Sequence, residues 1–370
     1  MAIYIHQLPH WPGFTWNHEL VSPLLAEIRN RQGRLLGRME ALGFSLQAEA
    51  NLQNLTMDVV KSGEIEGEIL DPNQVRSSIA RRLGLQIAGM VTSDRHVDGV
   101  VEMLLDATQH NKQTLTAERL FGWHAALFPT GRSGMYKITV GAWRNHTAKD
   151  PMQVVSGAMG REKIHFVAPD ANRLEEEMQR FIHWFNEDRQ MDPVLKAAVA
   201  HLWFVTIHPF DDGNGRIARA IADCQLSRAD QSALRFYSMS AQIRKERTAY
   251  YDILESTQKG SMDITKWLTW FLQCLGRSLD ASQEILATVL HKARFWEKHA
   301  TTILNSRQQL MLNKLLDGFE GKMNTSKWAK MTKTSPDTAL RDIQDLLNKK
   351  VLVKEVGGGR STNYSLPIIL

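Results

Sequence analysis

The stretch Asp192-PVLKAAVAHLWFVTIHPFDDGNGRIA-Arg219 decides the fold of this chain. It opens with an apolar segment of helical length, which stops at Pro209 because proline cannot continue a helix. A polar loop with a histidine, two aspartates, two glycines and an asparagine follows. We therefore predict a helix over 192–207, a loop, and a second helix that begins near Asn214.

The first turn of that second helix is predicted to bind an anion. Its backbone N–H groups, from Gly213 through Asn214 and Gly215 to Arg216, have no partner within the helix, and the glycines let a ligand approach the backbone closely. Arg216 and Arg219 lie three residues apart on one helix face and can donate to further phosphate oxygens.

Two side chains beside this turn add chemistry. Asp212 supplies a hard carboxylate oxygen, the ligand that Mg²⁺ takes when it bridges phosphates. His208 precedes the loop, and a neutral imidazole is the usual general base for a hydroxyl group. Together with the anion-binding turn, these residues predict a nucleotide polyphosphate site with a base beside it.

Most of the remaining sequence predicts helices, so the fold class is mainly α. Helical periodicity or capping signals cover 20–42, 46–61, 98–110, 117–127, 169–186, 243–258 and 264–290, and Asp71-Pro72 reads as a further helix start. Strand character is concentrated in 134–167, where we predict one or two β-hairpins.

The amino-acid composition limits which classes of protein this chain can belong to. With 370 residues, 43% of them apolar, the chain is a folded protein of two to three domains. Only two cysteines occur, which excludes a disulfide framework and a cysteine-based zinc site. No export signal or membrane span is evident, and we expect a cytoplasmic protein.

The C-terminal residues differ from the rest in charge and pattern. Residues 305–370 hold 11 Lys and Arg against 6 Asp and Glu, which is the whole excess of +5. Three helix signals precede two short strands around a glycine-rich turn, so the segment resembles a winged helix-turn-helix domain. We expect it to bind DNA through a helix over 334–349 and a wing at 357–360, or else to bind a protein.

The loop sequence His208-Pro-Phe-Asp-Asp-Gly-Asn-Gly-Arg-Ile-Ala-Arg219 matches in full the pattern HxFx(D/E)GNGRxxR, and the chain is identified as a member of the Fic (filamentation induced by cAMP) family. The likeness covers about 76–290. It implies a helical Fic fold with a β-hairpin flap, arranged as an N-terminal helical module over 1–75, a Fic catalytic domain over 76–295 and a winged helix over 300–370.

This resemblance implies an adenylyltransferase, which transfers AMP from ATP to a Ser, Thr or Tyr hydroxyl of a target protein and releases pyrophosphate. By the same resemblance, His208 would deprotonate the target hydroxyl and Asp212 would hold Mg²⁺. Asn214 and the backbone of Gly213 to Gly215 would stabilise the α-phosphate. Arg216 would bind the terminal phosphates, with support from Arg219.

Further roles follow from the resemblance alone. The hairpin 152–167 looks like the flap that aligns the target by strand addition. Tyr250 and Tyr251 resemble the tyrosines near the nucleobase pocket, where one would stack on adenine, with packing in the helix core as the alternative.

An upstream segment resembles the inhibitory motif (S/T)xxxE(G/N) of the same family. It runs from Ser62 through Glu66 to Gly67, and its place before the Fic region is typical of the N-terminal inhibitory-helix class. We expect Glu66 to pair with Arg216 and so prevent productive ATP binding.

Several alternatives stay open at this point. The chain could remove AMP from a modified target or catalyse both directions, or it could be a DNA-binding regulator that senses nucleotide. The sequence does not identify the target protein, exclude a donor other than ATP or set the oligomeric state, for which a homodimer is one alternative.

Overall fold

The structure is a computed structural model, and it describes residues 3–87, 89–146, 150–157, 161, 163–187, 190–319, 321–355 and 362–367. The chain is mainly helical, as the sequence predicts. The described helices are α1 (His18–Glu40), α2 (Phe44–Ile65), α3 (Pro72–Arg82), α4 (Arg95–Gln109), α5 (Ala117–Leu127), α6 (Leu174–Glu187), α7 (Pro193–Ile207), α8 (Asn214–Asp230), α9 (Met239–Lys245), α10 (Arg247–Gln258), α11 (Thr265–Lys298), α12 (Ser306–Leu316), α13 (Thr325–Thr332) and α14 (Pro336–Asn348).

The strands form three antiparallel two-stranded hairpins within the described residues. They are β1 (Arg132–Ser133) with β2 (Tyr136–Lys137), β3 (Gln153–Ser156) with β4 (Lys163–Val167), and β5 (Val353–Lys354) with β6 (Tyr364–Ser365). The region with strand character therefore holds two hairpins, and β3 with β4 forms the expected flap. Residues 158–160 and 162 at its tip, and 357–360 at the expected wing tip, lie outside the described residues.

Helix α7 packs against α8, α6 and α11 at the centre of the molecule. It is apolar on every side, and each residue from Val194 to Ile207 is buried. Asp192 caps its N-terminus by accepting a hydrogen bond from the backbone N–H of Val194, and proline occupies the first helical position. This central position gives the loop between α7 and α8 a rigid support on both sides.

The end of α2 differs from the sequence prediction, which stopped the helix at Lys61 and treated Gly63 as a break. The helix continues to Ile65 because Gly67, at φ +85°, ends it with paired bonds from Gly67 N to Glu64 O and from Glu68 N to Gly63 O. Gly63 instead lets the backbone of Glu68 approach closely, since a Cβ on residue 63 would lie 3.2 Å from the carbonyl oxygen of Glu68.

The prediction of one helix over 243–258 was also wrong. Two helices, α9 and α10, meet at Glu246, whose φ of −108° and ψ of 26° interrupt the helical backbone. The Glu246 carboxylate is held there by the guanidinium of Arg277 on α11, at 2.5 and 2.6 Å. The break places α10 against β4 of the flap.

The buried side chains form two main cores. One runs from Ile5 to Val289 and joins the helices of the predicted N-terminal module to those of the predicted Fic domain. The other runs from Phe295 to Tyr364 and unites α12, α13, α14 and the last hairpin. Helix α11 contributes to both. No helix in the described part of the chain has the length and apolar character that a membrane crossing requires.

Candidate active site

His208 lies at the C-terminal end of α7, in the left-handed region at φ +54°. This backbone conformation turns the chain sharply into the loop. Its carbonyl oxygen accepts a 2.7 Å bond from Nε of Arg144, a buried side chain that also donates to the carbonyl of Pro169 at 2.6 Å. The buried side chain of Arg144 thus stabilises the strained backbone conformation of His208.

The imidazole of His208 is in the form that a base requires. Nδ1 lies 3.1 Å from the carbonyl oxygen of Val205, which can only accept, so Nδ1 carries the proton and Nε2 has a free lone pair. Burial lowers the pKa of His208 to about 4. The ring is therefore neutral at physiological pH and can take a proton through Nε2.

The side chain of Asn214 shapes the loop. Its Oδ1 accepts from the backbone N–H of Phe210 at 3.0 Å, and its Nδ2 donates to the carbonyl of the same residue at 2.8 Å. Phe210 itself is fully buried and stacks on His124 with ring centres 4.2 Å apart. One N–H of Nδ2 and one lone pair of Oδ1 are used in these bonds, so the side chain keeps a second donor in addition to the backbone N–H groups of the turn.

The Asp212 carboxylate faces the start of α8. Its Oδ1 accepts from the N–H of Gly213 at 2.6 Å, and its Oδ2 accepts from the hydroxyl of Ser133. Within the described residues, no three His, Cys, Asp or Glu side chains are grouped so that they could hold a metal ion by themselves. Mg²⁺ nevertheless needs only a single protein carboxylate when phosphate oxygens and water molecules complete its coordination shell. Asp212 fits that role.

Arg216 and Arg219 of α8 are paired with carboxylates that follow the end of α2, and the pairing corrects the sequence prediction. Glu66 Oε1 lies 2.8 Å from Nη2 of Arg219, while Arg216 Nη1 lies 3.0 Å from Oε2 of Glu68. The expected pair between Glu66 and Arg216 was wrong, because Glu66 reaches Arg219, one turn further along α8, and Glu68 binds Arg216. Ser62 supports the first pair by accepting from Arg219 through both its hydroxyl, at 3.0 Å, and its carbonyl, at 3.2 Å.

The Glu66 carboxylate also lies against the anion-binding turn. The carboxylate lies so close that a Cβ added to Gly215 would displace Glu66 Oε1. Two buried donors nearby, Nε of Arg216 and Nη1 of Arg219, have no hydrogen-bond partner among the described residues. Since buried donors are nearly always paired, this combination indicates a site for an oxygen-rich anion that Glu66 partly fills.

Glu68 is itself held by His96 of α4, whose Nε2 contacts Glu68 Oε1. Burial opposes ionisation of Glu68, but His96 and Arg216 outweigh it and lower the pKa of the carboxyl group. The same hydrogen bond raises the pKa of His96. Neither residue was predicted as part of the site, and no spacing signal links them, because they lie 28 positions apart.

The two neighbouring tyrosines have different surroundings. Tyr250 is 1% exposed and its hydroxyl lies 2.8 Å from Nε2 of His201, as a packed core residue does. Tyr251 is 36% exposed, and its hydroxyl lies 3.4 Å from Glu66 Oε2. Of the two, Tyr251 is the exposed one, with the guanidinium of Arg247 lying over its ring at 5.2 Å from the ring centre.

A cavity of about 500 Å³ opens between the flap and the loop. Its lining includes Glu66, His208, Gly215, Tyr251 and the flap strands. The structure thus brings the predicted base, the anion-binding turn and the predicted inhibitory carboxylate to one cavity.

Residues 114–226 match the sequence model of the Fic/DOC family, and residues 4–85 match a domain of unknown function, DUF4172. Protein adenylyltransferase Fic from Drosophila grimshawi is 33% identical over 136 residues, which are 35% of this chain and 26% of that protein. The chain thus matches about a quarter of the length of this curated relative.

Solved structures show the same fold. A Fic family protein from Desulfovibrio desulfuricans G20 aligns with a TM-score of 0.52 at 18% identity, over 96% of this chain and 98% of that chain. Fic-1 from C. elegans aligns with a TM-score of 0.51 at 19% identity, over 74% and 75%. The chain therefore carries a domain of the Fic/DOC family in a mainly helical Fic fold.

Proposed function

We propose that this chain is an autoinhibited protein adenylyltransferase of the N-terminal inhibitory-helix class, which transfers AMP from ATP to a hydroxyl group of a target protein. The observation that carries the proposal is the Glu66 carboxylate, which lies on the anion-binding turn and binds Arg219. The name of the curated relative, protein adenylyltransferase, supports the same reaction class.

The reaction needs a base, a site for the phosphates and a path for the leaving group. His208 Nε2 takes the proton as the target oxygen forms its bond to the α-phosphorus, and the bond from that phosphorus to the bridging oxygen of the β-phosphate breaks. Pyrophosphate then leaves. The N–H groups of the first turn of α8 and the free donors of Arg216 and Arg219 stabilise charge on the phosphates.

Asp212 would hold Mg²⁺ on the phosphates, where the ion supplies positive charge when it is bound. The carboxylate is already oriented for this by Ser133 and by the backbone of Gly213. The residue acts by fixing where the phosphates lie relative to His208.

The flap supplies the surface for the target. Val155 on β3 and Ile164 on β4 are 47% and 45% exposed, and an apolar hairpin edge of this kind binds an extended peptide by strand addition. We assign the target segment to this edge because the hairpin borders the cavity that contains His208.

The direct test is transfer of label from ATP labelled in its α-phosphate. Glu66→Gly should label itself or an added protein well above the wild type, because Arg219 is then free to bind phosphate. Glu66→Gly combined with His208→Ala should give no label on the added protein, since the base is gone. Equal labelling of that protein by the single and the double variant would refute the role of His208.

We also propose that residues 300–370 form a winged helix that binds duplex DNA. In support, Asp342 of α14 turns inward to bind the guanidinium of Arg307 at 2.8 and 3.0 Å and is 6% exposed, so this carboxylate does not face a phosphate backbone. Arg341 beside it is exposed.

Binding of the full chain to duplex DNA should weaken steeply as the salt concentration rises. Arg341→Ala should reduce the slope of affinity against salt concentration by about one charge. Lack of binding at low salt would point to a protein partner.

A further inference from the structure

Three side chains at the flap form a hydrogen-bonded chain that the reaction described above does not use. The hydroxyl of Ser156 lies 2.6 Å from Nε2 of His165, and Nδ1 of His165 lies 2.5 Å from Oε2 of Glu255. The carboxylate can only accept, so the proton is on Nδ1 and Nε2 accepts from the serine. This is the order of nucleophile, base and orienting acid that activates a hydroxyl group.

A β-bulge places His165 in this chain. Val154 pairs with Phe166 and Val155 pairs with Ile164, so His165 has no partner on the opposite strand. A bulge of this kind redirects the side chain of the extra residue. Here the imidazole bridges β3 of the flap to α10, where Lys259 also binds the glutamate, at 2.5 Å from Oε1.

The hydroxyl of Ser156 borders the same cavity as His208 and Gly215. Strand β3 ends at Ser156, which is exposed, so the hydroxyl is open to a molecule in the cavity. Nucleotide bound to the anion-binding turn would therefore share one space with an activated serine.

Other hydroxyl groups that line the cavity are less suited to react. Tyr250 is 1% exposed and its hydroxyl is bonded to His201, so it presents no free hydroxyl group to the cavity. Tyr251 contacts the Glu66 carboxylate, and burial together with this negative charge raises the pKa of its phenol.

We propose that Ser156 is a self-modification site, which accepts AMP from a nucleoside triphosphate in the cavity with His165 as its base. The proposal rests on the proposed function. The serine oxygen forms a bond to the α-phosphorus, its proton moves to Nε2 of His165, and pyrophosphate leaves as the bond to the β-phosphate oxygen breaks. The product is a phosphodiester between Ser156 and adenosine.

The test is to map the modified residue on the full chain. Glu66→Gly protein incubated with ATP and Mg²⁺ should carry one AMP on Ser156 by tandem mass spectrometry. Adding Ser156→Ala should remove that label, and adding His165→Gln should slow its appearance by about a hundredfold, as loss of a general base does. Thr248→Ala removes another exposed hydroxyl that lines the cavity and should leave the labelling unchanged.

Label on Tyr251 or elsewhere with Ser156 unmodified would overturn the inference, and this mapping does not depend on how well the alanine variant folds. Release of pyrophosphate is measured in parallel. If Glu66→Gly releases pyrophosphate and modifies an added protein but not Ser156, the inference fails and the proposed function stands. If it releases no pyrophosphate, both fail.

Discussion

Replacement of Glu66 by glutamine is the perturbation that most directly measures autoinhibition. Glutamine keeps the size of the side chain and removes its charge. In the wild type, a phosphate must displace this carboxylate from Arg219, a guanidinium that is 3% exposed and lies 2.8 Å away. Since the displaced carboxylate and the incoming phosphate compete for the same donors, the charge of Glu66 acts directly against nucleotide binding.

The size of the effect follows from that contact. A hydrogen bond to a charged group contributes about 1.5–3 kcal/mol. Because the Glu66 side chain is 33% exposed, part of its charge is screened by water, and we take a value of about 2 kcal/mol. This corresponds to a gain of about thirtyfold in the affinity for ATP.

Isothermal titration of ATP with Mg²⁺ into wild type and Glu66→Gln measures this gain. Glu64→Gln is the matched control, because Glu64 lies two residues earlier on α2 and pairs with Lys61 and Arg244 rather than with the loop. We expect Glu64→Gln to bind ATP like the wild type.

Two outcomes would refute this reasoning. Equal dissociation constants for wild type and Glu66→Gln would mean that the carboxylate does not compete with phosphate. An equal gain in Glu64→Gln would mean that any loosening of α2 opens the site, whatever the charge that is removed. Thermal unfolding of all three proteins shows whether α2 stays folded.

Three further predictions concern the loop and its support. Asp212→Ala should abolish transfer at every accessible Mg²⁺ concentration in the Glu66→Gly background, measured with α-labelled ATP, and undiminished labelling would assign the ion to another residue. Gly213→Ala should destabilise the fold by about 1–3 kcal/mol in denaturant unfolding, since Gly213 lies at φ +79° and a Cβ there would be 2.9 Å from Phe128; an unchanged midpoint would contradict this. The bond from Glu68 raises the pKa of His96 above 6.5, so its stabilising contribution is complete below pH 6.5 and is lost as the pH rises through the raised value. The melting temperatures of wild type and His96→Asn should therefore differ at about pH 6 and converge at about pH 9, and a constant difference would exclude the pair as the cause.

The sequence alone was enough to locate the loop and its helices. Apolar residues on every face of 192–207, the stop at Pro209 and the glycines on either side of Asn214 are local signals, and they act through backbone conformation within a few residues. For the same reason the helix start at Asp71-Pro72 agrees with α3, which begins at Pro72.

Tertiary structure decided which charges meet. Arg216 and Arg219 lie on the same face of α8, so spacing cannot tell which of them Glu66 reaches. The answer depends on where α2 ends and how it lies across α8, and both are set by packing between helices that are distant in sequence. That packing adds Glu68 as a second carboxylate, which no motif marks.

The same reason explains the flap. Two apolar runs around a glycine-containing turn predict a hairpin, but a one-residue bulge determines which side chain points at α10. The chain from Ser156 through His165 to Glu255 joins residues that are 9 and 90 positions apart. A contact of that kind exists only once the flap and α10 have been brought together, because side-chain direction in a strand depends on its register with its partner.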